Sequence, residues 1–281
     1  MTDADLLPPA FQFSQNSLQD YVDCARRFQL RYVVEQKWPA AESEPIDEHE
    51  HFLEMGSRFH LLVQRHLSGI PAEALTPRDP LLAEWWAAYL EHPLADLPEA
   101  KRLPELNLSA PLAGQRLTAT FDLLALEPGQ RAVIVDWKTS HVLPRRETLA
   151  ARLQSRVYPY LLVEAGAHLF GGEIAPEQVA MIYWFAQYPD QPQRFPYDAA
   201  AHRANREYLG GLIEEILARD EEEWALTADE RRCKYCIYRS LCDRGIKAGP
   251  FGEWDEDVLD ADPEAVADFD FDLDNVEEIA F

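Results

Sequence analysis

No run of 18 or more apolar residues occurs in this 281-residue chain, so no membrane-spanning helix and no membrane partner are expected. The start, MTDADLLPPAFQF, lacks the basic cluster and apolar stretch of a secretory signal. A cytoplasmic location is therefore expected. No internal repeat is present, and neither a phosphate-binding P-loop nor a helicase motif occurs. Any duplex unwinding must come from a partner. Cysteine is scarce, with four residues. Reducing cytosol disfavours disulfides, so those four need another explanation.

Positive charge is also scarce. Lys and Arg number 26 against 50 Asp and Glu, a net charge of −24, which at first argues against a nucleic-acid partner. The imbalance is concentrated, however: residues 251–281 hold 13 acids and no base, and the rest of the chain carries −11 (26 bases against 50 − 13 = 37 acids). Basic residues cluster at Arg26, Arg27 and Arg31, at Arg145, Arg146, Arg152 and Arg156, and from Arg231 to Lys247. A local basic groove on an acidic protein is compatible with DNA. The segment 251–281, around Phe269, Phe271 and Leu273, is too charged to pack as a core and is expected to be a disordered tail. Such a tail would solubilise the chain, anchor a partner protein, or occupy the basic groove in cis.

Residues 1–250 have the composition of one folded domain, with hydrophobic residues at 47% of the chain. Apolar spacing predicts helices over Ser14–Val34, with Ser17 as N-cap, then Glu50–Leu67 and Pro80–Leu90. Strands are predicted over Glu105–Ser109, Gln115–Glu127, Arg131–Thr139 and Gln178–Phe185, with a short partner near Phe195. Helices follow over Arg146–Ala165, bent at Pro159, and over Ala199–Asp220. The fold class is α/β, with a central mixed sheet flanked by helices.

Pro128-Gly129 marks a hairpin turn. With a two-residue loop Asp122 would oppose Val135 and face away from Asp136; with a three-residue loop, Pro128 to Gln130, it lies opposite Asp136 on one face, and Lys138 shares the face of Asp136. Opposed carboxylates repel, and a divalent cation between them removes that cost. Hard oxygen ligands select Mg²⁺ or Mn²⁺. Such an ion polarises a phosphate and acidifies a bound water, while Lys138 orients the nucleophile or neutralises charge building on the phosphate oxygens. His60 can add an imidazole from its helix. Glu105, at a strand start, is a further carboxylate ranked behind the others. Gln154 and Tyr158, four apart, share a helix face.

Cys233, Cys236 and Cys242 lie close in sequence, with Cys24 far upstream. Four thiolates hold zinc or a 4Fe-4S cluster. A single CxxC with a longer step and a distant Cys is unlike a zinc ribbon and favours iron–sulfur.

In chain order, SLQDYVDCARRFQLRY, GSRFH, FDLLALE, VDWKTS, QSRVY and CKYCIYRSLC resemble the RecB-like branch of the PD-(D/E)XK nucleases. They are most similar to its iron–sulfur members, such as the AddB C-terminal nuclease and CRISPR-associated exonucleases. The resemblance implies a restriction-endonuclease-like fold and a metal-dependent DNA nuclease, an exonuclease preferring single strands or ends, in repair or recombination beside a helicase partner. It implies metal ligation by His60, Asp122 and Asp136, catalysis by Lys138, and support from Gln154 and Tyr158. It also implies a 4Fe-4S cluster on Cys24, Cys233, Cys236 and Cys242 that clamps the two ends of the domain together. Three positions depart from the pattern: Ala119-Thr120-Phe121 lacks the usual glycine, Trp137 replaces tyrosine, and Ala25 replaces proline. The competing readings are a non-catalytic binding module of the same fold and a zinc-bearing adaptor.

Overall fold

The computed structural model describes residues 6–36, 45–220, 224–233 and 236–245. The expected tail at 251–281 lies outside the described residues.

Strand β1 (Phe13–Ser14) leads into helix α1 (Gln15–Asp23). Ser14, not Ser17, is the N-cap: its hydroxyl accepts from the Ser17 amide, while the Ser17 hydroxyl takes the Ser14 N–H. That reciprocal pair satisfies two donors that a helix start leaves open. The helix expected to reach Val34 breaks at Cys24, whose backbone is extended (φ −164°, ψ 108°), and resumes as α2 (Ala25–Phe28) and a π-turn at Gln29–Val33. Helices α3 (Pro45–Leu67) and α4 (Pro80–Glu91) follow. Strand β2 (Lys101–Leu112) is longer than expected. It forms a hairpin with β3 (Gln115–Glu127), which pairs in turn with β4 (Arg131–Lys138).

The expected helix from Arg146 is two helices, α5 (Arg146–Ala151) and α6 (Leu153–Ala165). The break falls at Arg152, where ψ is 145°, and Pro159 is carried inside α6. Gln154 and Ser155 thereby enter a first helical turn. A short α7 (Ala167–Phe170), strands β5 (Val179–Phe185) and β6 (Gln193–Pro196), and α8 (Ala199–Leu217) complete the layers.

The sheet runs β1-β3-β4-β5-β6, with β2 on β3. Pairs β1–β3 and β4–β5 are parallel and the rest antiparallel, so the sheet is mixed as expected. Two apolar cores cover its faces. One joins Leu18, Phe28, Phe121, Leu124, Val157 and Leu209. The other joins Phe59, Trp85, Leu123, Val135 and Trp184. Side chains alternate along a strand, yet Phe121 and Leu124, three apart, lie in the same core. The alternation of β3 slips by one residue at Asp122. Among the described residues, no helix is long and apolar enough to cross a membrane.

Candidate active site

The slip at Asp122 has a counterpart on the neighbouring strand β2. The β2–β3 ladder pairs Pro104 with Leu123 and Leu106 with Phe121, skipping Glu105 and Asp122. Glu105 has a left-handed backbone, φ +49°, which costs a non-glycine residue energy and is found mostly at functional positions. On the other side, the loop Pro128–Gln130 is three residues long, and pairing runs from Glu127–Arg131 to Leu123–Val135. That register carries Asp122 towards Asp136, as expected. Beyond Leu123 the strands part. The Asp122 carboxylate enters the gap, where its Oδ2 accepts the Trp137 amide at 2.7 Å.

His60 reaches the same place from α3, its Nδ1 3.4 Å from Asp122 Oδ1. Ligand atoms of His60, Glu105 and Asp122 lie within 4.8 Å of one another. Glu105 thus stands in the innermost group, higher than its sequence ranking. Asp136 lies beside this trio: Gln154 Nε2 donates to its Oδ1 at 2.5 Å, and Lys138 Nζ is 3.1 Å from Oδ2. That buried oxygen thus faces the ammonium as an ion pair. Tyr158 packs edge-on against Phe121, the residue before Asp122 (5.0 Å between centroids).

The electrostatics are those of crowded carboxylates. Burial opposes charge on His60, but the charge and hydrogen bond of Asp122 outweigh it and push the imidazole up to about 9. Burial would raise Asp122, yet His60 holds it below the usual range. Burial, opposed by Lys138 and reinforced by Asp122, lifts Asp136 to about 7. Burial and the Asp122 charge likewise lift Glu105 to about 7. Three hard carboxylates and one imidazole suit Mg²⁺ or Mn²⁺.

Residues 12–243 match the PD-(D/E)XK nuclease superfamily. The chain belongs to that superfamily. PD-(D/E)XK nucleases are generally metal-dependent and typically use Mg²⁺ or Mn²⁺. No curated protein matches this PD-(D/E)XK chain. Among solved structures it is similar to a protein called SSO0001 (13% identity, TM-score 0.42, covering 84% of this chain and 87% of that one). It is also similar to a Eubacterium rectale protein provisionally named an exonuclease (10% identity, TM-score 0.47, 73% and 80% covered). Neither likeness bears on the chemistry.

The cysteines converge on a second place. Cys24, Cys233, Cys236 and Cys242 are all free thiols and line one pocket with Arg27, Arg232 and Arg239. Burial and then neighbouring thiols raise Cys233 and Cys242, and burial lifts Cys236 to about 11. Ion pairs tie this region to α1: Arg27 contacts Asp20 at 2.8 Å and Asp23 at 2.7 Å, and Arg232 also reaches Asp23.

A pH dependence follows for the metal-stripped protein. Glu105 and Asp136 hold protons up to about 7 that they lose near 4.5 and 3.8 when unfolded. The native state therefore binds more protons in that window. Their stabilisation is complete below the unfolded values and is lost as pH rises through about 7. His60, raised from 6.5 to about 9, extends the decline. Asp122 is lowered, so its contribution changes only below the window. Melting temperature should fall from about pH 5 to 8, with a shallower fall in Glu105→Gln. Equal slopes in the two proteins would contradict this assignment.

Proposed function

We propose that the chain is a metal-dependent deoxyribonuclease, an exonuclease acting on single strands or ends in DNA repair or recombination. The observation that carries this reading is the convergence of His60, Glu105 and Asp122 beside the Asp136–Lys138 pair. His60, Asp122 and Asp136, with Glu105, are the metal ligands. The bound ion supplies Lewis-acid polarisation of the scissile phosphate and acidifies the attacking water. Gln154 fixes Asp136 by one oxygen and leaves the other towards the site. Lys138 faces that oxygen and neutralises charge developing on the phosphate. Tyr158 supports the turn of β3 that presents Asp122. A pure binding module has no use for three crowded carboxylates, which is why catalysis is preferred.

We assign the second place to a 4Fe-4S cluster on Cys24, Cys233, Cys236 and Cys242, as in the iron–sulfur branch with AddB and the CRISPR-associated exonucleases. Four thiols lining one pocket supply the number of ligands that such a cluster takes. Its role is structural, joining the N-terminal helix to the C-terminal end of a domain that works beside a helicase partner. The test of function is cleavage of end-labelled linear and circular DNA, single- and double-stranded, with Mg²⁺, Mn²⁺ or chelator. Metal-dependent shortening from ends supports the reading. No cleavage of any substrate with either ion would sink it.

A further inference from the structure

Acid is unevenly spread along this chain. With 50 acids in 281 residues the average is more than one in six, yet three stretches of sixteen or more residues contain none: 55–72, 106–121 and 148–163. Each supplies or adjoins a residue of the catalytic centre. The first carries His60, the third carries Gln154, and the second runs from Glu105 to Asp122 without including either. That second stretch is the outer half of the β2–β3 hairpin, and its one charged residue is Arg116.

The two faces of this outer half differ. Leu108, Ala110, Leu112, Leu117, Ala119 and Phe121 enter the core under α1, α6 and α8. Side chains alternate along a strand, so Asn107, Ser109, Arg116, Thr118 and Thr120 stand on the opposite face. There the ladder sets Asn107 across from Thr120 and Ser109 across from Thr118. Helices α3 and α4 pack on that same face of the sheet. Among the described residues, their core takes Leu123, Val133, Val135, Ile182 and Trp184 from the strands and nothing from residues 106–121. The apolar cover therefore ends at the catalytic centre, where His60 of α3 meets Asp122, and a polar sheet face continues beyond it. Asn107 and Arg116 are exposed, and Ser109, Thr118 and Thr120 are half-buried. These side chains hold one another in place. Asn107 Nδ2 donates to Thr120 Oγ1 at 3.2 Å, Thr118 Oγ1 to Asn107 Oδ1 at 3.3 Å, and Arg116 Nη1 to the Ser109 hydroxyl at 2.8 Å. Hydroxyl, amide and guanidinium groups are what hold the phosphate oxygens of a nucleic-acid backbone. A carboxylate among them would repel phosphate, and the stretch supplies none.

We propose that the outer β2–β3 hairpin is a platform for the backbone of the DNA strand that continues from the phosphate at the catalytic centre, with Arg116 as its charged anchor. The platform rests on the nuclease reading and names the surface that holds its substrate. At about 3.3 Å per residue the face extends about 20 Å from Glu105 to Pro111, room for several phosphates of one strand. Contacts to the backbone alone read no bases, so binding here is indifferent to sequence.

The test is fluorescence anisotropy of the full chain with labelled DNA of several unrelated sequences, in chelator and across a salt series. Arg116→Ala should weaken binding by about 5-fold for every sequence and reduce the salt slope by about 1, the mark of one lost phosphate contact. Thr118→Asp places an acid on the face and should weaken binding by about 10-fold at low salt, a loss that shrinks as salt screens the added charge. Arg203→Ala removes the same charge from an exposed position on α8, across the sheet, and should change affinity by less than about twofold. Mn²⁺ affinity and melting temperature of Arg116→Ala should stay at wild-type values, which separates a lost contact from a damaged fold. Unchanged affinity and slope in Arg116→Ala would overturn the platform, as would an equal loss in Arg203→Ala or a wild type that binds no DNA at low salt. Binding is read without cleavage. A wild type that binds through Arg116 and cuts nothing would sink the nuclease reading, whereas an active enzyme whose Arg116→Ala and Thr118→Asp variants bind normally would sink the platform alone.

Discussion

Asp122→Asn and Asp136→Asn are each expected to lower DNA cleavage by at least ~10³-fold, the scale of losing several kcal/mol of metal-derived stabilisation. Neither should unfold the protein. Asp136 is buried, and burial and Asp122 together disfavour its charge more than Lys138 favours it. A neutral amide of the same shape relieves that cost, so Asp136→Asn should melt at or above the wild-type temperature when metal is absent. With Mn²⁺ added the order reverses, because only the wild type gains binding energy from the ion. Lys138→Ala should cost ~10²–10³-fold in turnover with little change in Mn²⁺ affinity. Cleavage at wild-type rates by both Asn variants would place the chemistry elsewhere.

The second large effect is at Cys24. Structural metal sites contribute on the order of 10 kcal/mol to apparent folding free energy, and a cluster bound only by the folded chain acts through the same linkage. Cys24→Ser should abolish bound iron and labile sulfide and lower the melting temperature of the whole domain. The ion pairs of Arg27 and Arg232 with Asp20 and Asp23 remain in that variant, so residual folded protein is expected at low temperature. Elemental analysis and thermal melting of protein purified without oxygen read both. Zinc in place of iron, or iron retained in Cys24→Ser, would overturn the four-cysteine cluster.

Much of this was legible in the sequence. Pro128-Gly129 signalled the hairpin but allowed a two- or a three-residue loop; the three residues Pro128–Gln130 are what set Asp122 opposite Asp136. Other features required tertiary context. The slip in β3 leaves no trace in apolar spacing, because Phe121, Leu123 and Leu124 are apolar whichever face they take. Glu105 was underrated for a related reason, although a signal was present. Ala113 and Gly114, with φ +49° and +74°, form a two-residue hairpin turn between Leu112 and Gln115. Counting back along that register sets Glu105 opposite Asp122. The breaks at Cys24 and Arg152 were hidden because both segments have helical apolar spacing throughout. In the fold, the extended residue Cys24 lines the cysteine pocket, and the break at Arg152 precedes the helical turn from which Gln154 reaches Asp136.

The most direct test of the central claim is the position of bound Mn²⁺, read from its anomalous scattering in crystals of the full chain. The account predicts an ion bound by His60, Glu105 and Asp122, with Asp136 completing the protein ligands, and lost in Asp122→Asn. An ion bound elsewhere, or cleavage that persists in chelator with this pocket empty, would contradict it.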